Sequence, residues 1–212
     1  MEKVAGVVAR NRVMVPLGLK WRGKNLPPLF FDRIFPKDLD LIRRQVKNRK
    51  FDESLVLGVA KRCSWGVPAV IVCAPLKALK PFPTSFWLTC PYITKACDRL
   101  ESSGGVAQLE SYLEQGKRRE WSAFIMAHVA LRMSLLDENK KRFLISKRPR
   151  MWDVIRKGGP GGILPKGKVT VKCLHLQVAS WMALGWHPGE LWLKERLPEL
   201  KCPNCNQVNC FG

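Results

Sequence analysis

Two apolar runs decide the predicted fold: LVLGVA at residues 55–60 and AVIVCA at residues 69–74, separated by the turn-forming Gly66-Val67-Pro68. Short runs that are rich in valine and isoleucine and bounded by glycine and proline are typical of neighbouring β-strands. The segment FWLTC at residues 86–90 predicts a third strand close by. The sequence therefore predicts a sheet at the centre of the fold.

The segments around these strands carry helix signals. Pro36 can occupy the first turn of a helix, and Leu39, Ile42 and Val46 then form one apolar stripe. The basic residues of this helix are predicted to face solvent: Arg43, Arg44, Lys47 and Arg49. Further helices are predicted over Pro91–Ser102, Val106–Leu113, Arg119–Leu136, Val171–Leu184 and Pro188–Leu197.

The residues before the first helix predict less regular structure. Residues 4–17 alternate loosely, as one or two short strands do, whereas residues 20–31 contain Gly23 and Pro27-Pro28 and predict an irregular segment. Together the elements predict an α/β fold of the α+β type. It consists of a small central sheet with several packed helices, in a single domain with a cysteine-rich C-terminal tail.

The charge balance is strongly basic. The chain of 212 residues has 37 lysines and arginines against 17 acidic residues, a formal net charge of +20. Such a charge attracts polyanions through counterion release, so RNA, DNA and acidic membrane surfaces are the partner classes to consider, with RNA favoured over DNA. A basic surface without a specific partner is the alternative.

The most basic stretch is residues 140–172, which has eleven lysines and arginines and one acidic residue, Asp153. It contains the glycine-rich segment Gly158–Gly162, whose backbone N–H groups can approach a phosphate, although a surface turn explains such a segment equally well. The predicted residues for binding anions or nucleic acid are Arg148, Arg150, Lys157, Lys166, Lys168 and Lys172.

The cysteines near the C-terminus are the strongest chemical signal. Cys202 and Cys205 are spaced to grip one tetrahedral metal from a tight turn, and Cys210 adds a third thiol. A further ligand must come from the rest of the chain, where Cys173 and His175 are predicted ligands and Cys63 and Cys90 are alternatives. Zinc and an iron–sulfur cluster both suit such a site. A thiol tail that binds no metal is the remaining alternative.

Three other residues have candidate catalytic roles. Cys90 lies between a predicted strand end and a helix N-terminus, where the helix dipole favours a thiolate nucleophile or a metal ligand; a simple capping role is the alternative. His128 and Arg132 share one face of a helix and can bind an anion or move a proton, unless they are core residues. Glu101 is predicted to bind a nearby backbone group or a cation rather than to act as an acid.

Several protein classes lack their sequence signatures here. No secretion signal precedes the core, and the longest apolar stretch, residues 121–136, is too short to span a bilayer. We therefore expect a cytoplasmic protein without a membrane span, in which thiols stay reduced. The glycine motifs of dinucleotide-binding and P-loop proteins, the serine hydrolase elbow and the HExxH zinc motif do not occur.

At several of these residues the sequence resembles a bacterial protein family, domain of unknown function 501. The resemblance extends roughly over residues 38–187. Its motifs are Asp38-Leu39-Asp40 with Arg44-Gln45, Val59–Cys63, Pro81–Thr84, Trp87–Pro91, Arg99–Glu101, Ala127-His128 with Arg132, Gly161-Gly162 and Lys172–His175. The resemblance implies a shared core domain at residues 36–187. It leaves residues 1–35 as a basic N-terminal extension and residues 188–212 as a C-terminal helix with a cysteine-rich, predicted metal-binding tail.

The resemblance brings no established activity, but it favours Cys63, Cys90, His128, Arg132, Cys173 and His175 as site residues. Three functions therefore stay open, and with them whether the protein is an enzyme. The first is a metal- or iron–sulfur-binding protein that acts on or with RNA. The second is a small-molecule enzyme that uses a cysteine and a histidine. The third is an assembly or regulatory factor with a structural zinc site. The sequence leaves the oligomeric state open.

Overall fold

A five-stranded antiparallel sheet organises the fold. It is seen in a computed structural model that describes residues 11–21, 23–47 and 49–197 together with residues 200, 202, 204 and 210. The strands are β1 (Arg12–Val15), β2 (Lys20–Trp21), β3 (Lys24–Asn25), β4 (Leu29–Arg33), β5 (Val56–Arg62), β6 (Pro68–Cys73), β7 (Leu76–Lys77), β8 (Lys80–Pro81) and β9 (Phe86–Leu88). The order in the main sheet is β1-β4-β5-β6-β9, and β2–β3 and β7–β8 form two small hairpins.

Helices cover both faces of the main sheet. They are α1 (Pro36–Gln45), α2 (Pro91–Ser102), α3 (Gly105–Gly116), α4 (Arg118–Ser134), α5 (Glu138–Lys147), α6 (Pro149–Lys157), α7 (Leu174–Leu184) and α8 (Glu190–Arg196). The predicted α+β fold, a small sheet with several packed helices, is confirmed. Within the described part of the chain, none of these helices is long and apolar enough to cross a membrane.

Strand β6 is buried along its whole length, which explains its unbroken apolar sequence. Successive side chains of a strand point to opposite faces. Val70 and Val72 accordingly join the main core, whereas Ile71 and Cys73 pack against Ile42 of α1 on the other face. The three strands predicted at the centre of the fold are therefore confirmed, with β6 paired to both β5 and β9.

The prediction of an irregular segment over residues 20–31 is wrong in part, because β4 begins at Leu29 and pairs with β1 and β5. The pairing with β5 depends on Gly58. A Cβ atom there would overlap the Asp32 carbonyl oxygen and the Phe31 ring. The predicted N-terminal extension thus contributes two strands to the main sheet.

Two helices, α5 and α6, occupy the basic stretch where the sequence analysis placed only a charged segment. Each has one fully buried side chain, Leu144 in α5 and Ile155 in α6, which pack with Leu76 and Leu136. The apolar stripe of α5 is weak against its many charges, and α6 has nine residues, too few for its apolar pattern to stand out.

The start of α1 is tied to the sheet by a buried carboxylate. Asp38 accepts hydrogen bonds from Phe35 N (3.2 Å) and from Arg62 Nη1 (2.7 Å) and Nη2 (2.9 Å). We expect Asp38→Asn to lower the free energy of unfolding by about 1–3 kcal/mol, since a charge-assisted bidentate pair is replaced by weaker bonds. Urea denaturation measures this change. Asp40→Asn on the exposed face is the matched control, and equal losses in the two variants would contradict the prediction.

Candidate metal centre

Glu101, Cys173 and His175 come together where the end of α2 meets the start of α7. One ligand atom from each side chain lies within 4.8 Å of the other two. Among the described residues, this is the one group of three metal-ligating side chains with that spacing. The sequence analysis named Cys173 and His175 as ligands, and Glu101 joins them from a segment far away in the chain.

The first turn of α7 fixes the positions of these groups. Cys173 is the N-cap of α7, and its Sγ atom accepts a hydrogen bond from Leu176 N (3.4 Å). The Glu101 carboxylate accepts from the backbone N–H of Leu174 and from the His175 ring, 3.0 Å from Oε1 to Nδ1. The prediction that Glu101 binds a nearby backbone group is confirmed. The N-terminus of α7 also favours negative charge on the side chains of Cys173 and Glu101.

His175 lies between two carboxylates. Its Nδ1 faces Glu101, and its Nε2 lies 3.1 Å from Asp98 Oδ1. The hydrogen bond with Cys173 raises the pKa of His175, and Glu101 and Asp98 raise it further against the effect of burial. A ring held in this way can carry a proton, or it can bind a metal through Nδ1 while Asp98 orients it through Nε2.

A pocket of about 440 Å³ opens beside the trio. Cys173 and His175 form part of its wall, and the lining also combines apolar side chains with two cations: Phe86, Trp87, Leu88, Leu176, Arg49 and Lys172. The guanidinium of Arg49 stacks on Trp87, 4.9 Å from the ring centroid, and donates to Leu88 O (2.7 Å). Burial lowers the pKa of Arg49, an effect that Asp98 and Cys173 oppose. The pocket therefore suits an anion attached to a flat, apolar group.

Four of the segments that carry the family resemblance contribute residues to the wall of this pocket. Pro83 and Thr84, Trp87 and Leu88, Gly161 and the Lys172–His175 segment all line it, and Glu101 lies behind Cys173 and His175. Gly161 adopts a positive φ of 63° and donates its N–H to Pro83 O (2.6 Å). That N–H is therefore occupied by the protein, and the glycine-rich segment shapes the pocket wall.

The other predicted site residues lie elsewhere. Arg132 is buried in α4, and its guanidinium donates to the carbonyl oxygens of Gly158 (2.7 Å), Gly159 (3.1 Å) and Phe82 (3.0 Å). His128 is buried on the same helix, edge-on to the ring of Phe124. Their catalytic roles stay predictions, but these contacts are typical of structural residues.

Cys90 is also buried, and burial raises its pKa to about 11. At neutral pH, without a metal, it is a neutral thiol, which is unfavourable for the predicted nucleophile. Cys63 and Cys210 lie near enough that thiolate charge on either would raise this pKa further. Cys90 therefore lies near Cys210 and Cys63 and does not line the pocket.

The structure does not bring Cys173 and His175 to the tail, as the predicted ligand set required. Cys210 packs against Leu41, Val67 and Cys63, and the carbonyl oxygen of Cys202 accepts from Trp65 Nε1 (3.0 Å). Cys205 lies outside the described residues. Cys90 caps the N-terminus of α2 and Glu101 lies near its C-terminus, about 16 Å apart along the helix. Glu101, Cys173 and His175 are therefore at the opposite end of α2 from Cys90 and the cysteines near it.

The predicted anion-binding residues are exposed: three lie in α6 or just before it, and three follow it. Lys157 forms an ion pair with Asp153 (2.9 Å), and Lys168 lies 3.9 Å from Glu110. Lys172 is the one that lines the pocket. The set does not form a single site, and its role in nucleic-acid binding stays a prediction.

His128→Leu should make the protein less sensitive to acid. Burial lowers the pKa of His128 from 6.5 to about 3, and its charged or titratable neighbours are Arg132 and His187. Below pH 6.5 the unfolded chain therefore binds a proton that the folded chain does not, and unfolding becomes easier as the pH falls toward 3. Between pH 6.5 and 5 the variant should gain about 1.5–2 kcal/mol of unfolding free energy over the parent. Urea midpoints at the two pH values measure this gain, and parallel losses in both proteins would refute it.

Comparison with known proteins identifies a family for the chain. No curated protein and no solved structure matches the chain. The sequence model of the family described as protein of unknown function (DUF501) matches residues 59–193. This match includes Glu101, Cys173, His175 and most of the pocket wall, and it covers more than half of the 212 residues. The chain therefore belongs to the DUF501 family.

Proposed function

We propose that Glu101, Cys173 and His175 hold a divalent metal ion, with zinc the best fit, beside a pocket that binds a phosphate-bearing substrate. The observation that carries the proposal is the spacing of their ligand atoms, within 4.8 Å of one another, at the wall of the pocket. Thiolate, imidazole and carboxylate are the three ligand types that zinc takes in proteins.

Three protein ligands leave one coordination position open, which is the pattern of catalytic zinc sites. A zinc ion there supplies Lewis-acid chemistry. The chain provides the rest: Asp98 orients His175 from the outer side, and the backbone at the start of α7 holds Glu101. The apolar wall limits the access of water to the site.

RNA is the substrate or partner class that the charge favours. The net charge is +20, and the pocket pairs the cations Arg49 and Lys172 with the flat ring of Trp87. Cations bind phosphate, and aromatic rings stack on unpaired bases, which is how proteins recognise single-stranded RNA. We propose that a nucleotide of RNA enters the pocket with its phosphate between the two cations.

The first experiment is metal analysis of protein purified without chelators. Cys173→Ala should contain about one equivalent of zinc less than the parent protein. Cys73→Ala, which removes a buried thiol on the α1 face of the sheet, is the matched control and should keep all its metal. Equal metal contents in the parent and Cys173→Ala would overturn the metal proposal.

RNA binding needs its own measurement. Fluorescence anisotropy with a short single-stranded RNA should show an affinity that falls steeply with added salt. Lys172→Glu should weaken binding by more than Lys37→Glu, which makes the same charge change on the exposed surface of α1. Equal effects of the two substitutions would place RNA outside the pocket, and salt-independent affinity would refute RNA binding.

A thiol enzyme is the second candidate function, because Cys173 is the N-cap of α7 and hydrogen-bonds with His175. In that mechanism His175 takes the thiol proton and Cys173 attacks the substrate. It predicts that Cys173 reacts with iodoacetamide much faster than the other cysteines in metal-free, folded protein. Uniformly slow alkylation would exclude this candidate.

A further inference from the structure

Three thiols from distant parts of the chain converge at the other end of α2. Cys63 begins the β5–β6 turn, where Cys63 N donates to Val67 O (2.9 Å) and Gly66 N donates to Cys63 O (3.0 Å). Cys90 is the N-cap of α2. Cys210 packs on Cys63 from the C-terminal segment. Zinc sites are formed by cysteine thiolates that the fold brings together in this way.

One of these sulfur atoms has an N–H donor directed at it. Gln45 Nε2 lies 3.7 Å from Cys210 Sγ and also donates to Pro68 O (2.9 Å). N–H donors to sulfur stabilise the thiolate form that binds metals, and they are typical partners of metal ligands.

The C-terminal segment brings a fourth thiol to the same region. Trp65, in the turn next to Cys63, binds the carbonyl oxygen of Cys202 through its indole N–H (3.0 Å). Cys202 and Cys210 are 8% and 4% exposed, so both are buried. Cys202 contacts the β5–β6 turn, and Cys210 contacts that turn and Leu41 of α1.

We infer that Cys63, Cys90, Cys202 and Cys210 form a second metal site, a structural zinc site that fastens the C-terminal segment to the core. Four thiolates complete the tetrahedral shell of zinc and leave no position for a substrate. Among the described residues only the Glu101 trio meets the 4.8 Å spacing, so the four sulfur atoms must move closer together for one zinc ion to bind them all. The inference is independent of the proposed function, because the two sites share no residue.

Cobalt(II) and zinc titration of the full-length Cys173→Ala protein tests the second site alone. Bound cobalt should give the visible bands of a tetrahedral ion and a strong thiolate charge-transfer band. Cys63→Ser, Cys90→Ser and Cys210→Ser in this background should each lower zinc affinity by about 100-fold or more. Cys73→Ala in the same background is the control and should leave the spectrum unchanged.

A second measurement covers the risk that Cys90→Ser fails to fold. Zinc should protect the C-terminal segment of the Cys173→Ala protein from trypsin, and Cys210→Ser should abolish this protection without unfolding the core. Spectra unaffected by both Cys63→Ser and Cys210→Ser would overturn the inference. A zinc-free Cys173→Ala protein that takes up no added cobalt would also overturn it, and neither result would affect the metal proposed at Glu101, Cys173 and His175.

Discussion

Replacing Arg132 by methionine should lower the free energy of unfolding by about 3–5 kcal/mol. The guanidinium donates to three backbone carbonyl oxygens, those of Gly158, Gly159 and Phe82, in a buried site. Methionine fills a similar volume but donates no hydrogen bond, so these carbonyl oxygens lose a donor. Each buried acceptor left unpaired costs about 1–3 kcal/mol.

Denaturation in urea at neutral pH measures the loss. Arg156→Met is the matched control, because Arg156 lies on the exposed side of α6 and pairs with Asp153. That variant should change the unfolding free energy by less than about 1 kcal/mol. A stable Arg132→Met protein that has lost only its function would instead restore the catalytic role predicted from the sequence.

The parts of the fold with a clear apolar pattern were predictable from the sequence. The β6 run, the strand at Phe86 and the helix after Pro91 all appear at the expected places, because valine-rich runs and a proline in the first helical turn are local signals. Strand β4 was missed because its pairing requires a close approach at Gly58, a long-range fact. Helices α5 and α6 were missed because the apolar stripe of α5 is weak and α6 is short.

The candidate site was predicted only in part, for a similar reason. Cys173 and His175 stand out as ligand types at short spacing, and Glu101 was assigned a local binding role. Their meeting depends on the packing of α2 against α7, which no local pattern encodes. Arg49 was predicted to face solvent as part of a basic helix. Helix α1 ends at Gln45, so the helical pattern that predicted a solvent-facing Arg49 does not extend to that residue.

The ligand set predicted for the tail shows the limit of reasoning by residue type. The candidate partners for the tail cysteines were Cys173, His175, Cys63 and Cys90. The pair Cys173 and His175 was preferred because both are suitable metal ligands near a predicted helix start. The helix α2 separates that pair from the tail and presents Cys90 instead. Residue types therefore identified candidate ligands, and the fold decides which of them lie together.

Glu101→Gln should separate the structural from the metal-binding role of this residue. Glutamine keeps a side-chain oxygen that can accept from Leu174 N and preserve the start of α7, so the unfolding free energy should change by less than about 1 kcal/mol. The amide carries no charge to offset that of the metal. We therefore expect zinc affinity at the trio to fall by about 100-fold, measured by competition with a chelator in a Cys210→Ser background.

Two further variants make this prediction specific. Glu101→Ala removes the acceptor as well as the charge, so it should lose the metal and also about 1–2 kcal/mol of stability. Asp98→Asn keeps all three inner ligands and changes only the partner of His175 Nε2, so zinc affinity should fall by about 10-fold. Unchanged zinc affinity in Glu101→Gln would mean that Glu101 only caps α7. The metal would then be held by Cys173 and His175 with a different third ligand, or by no residue of this pocket.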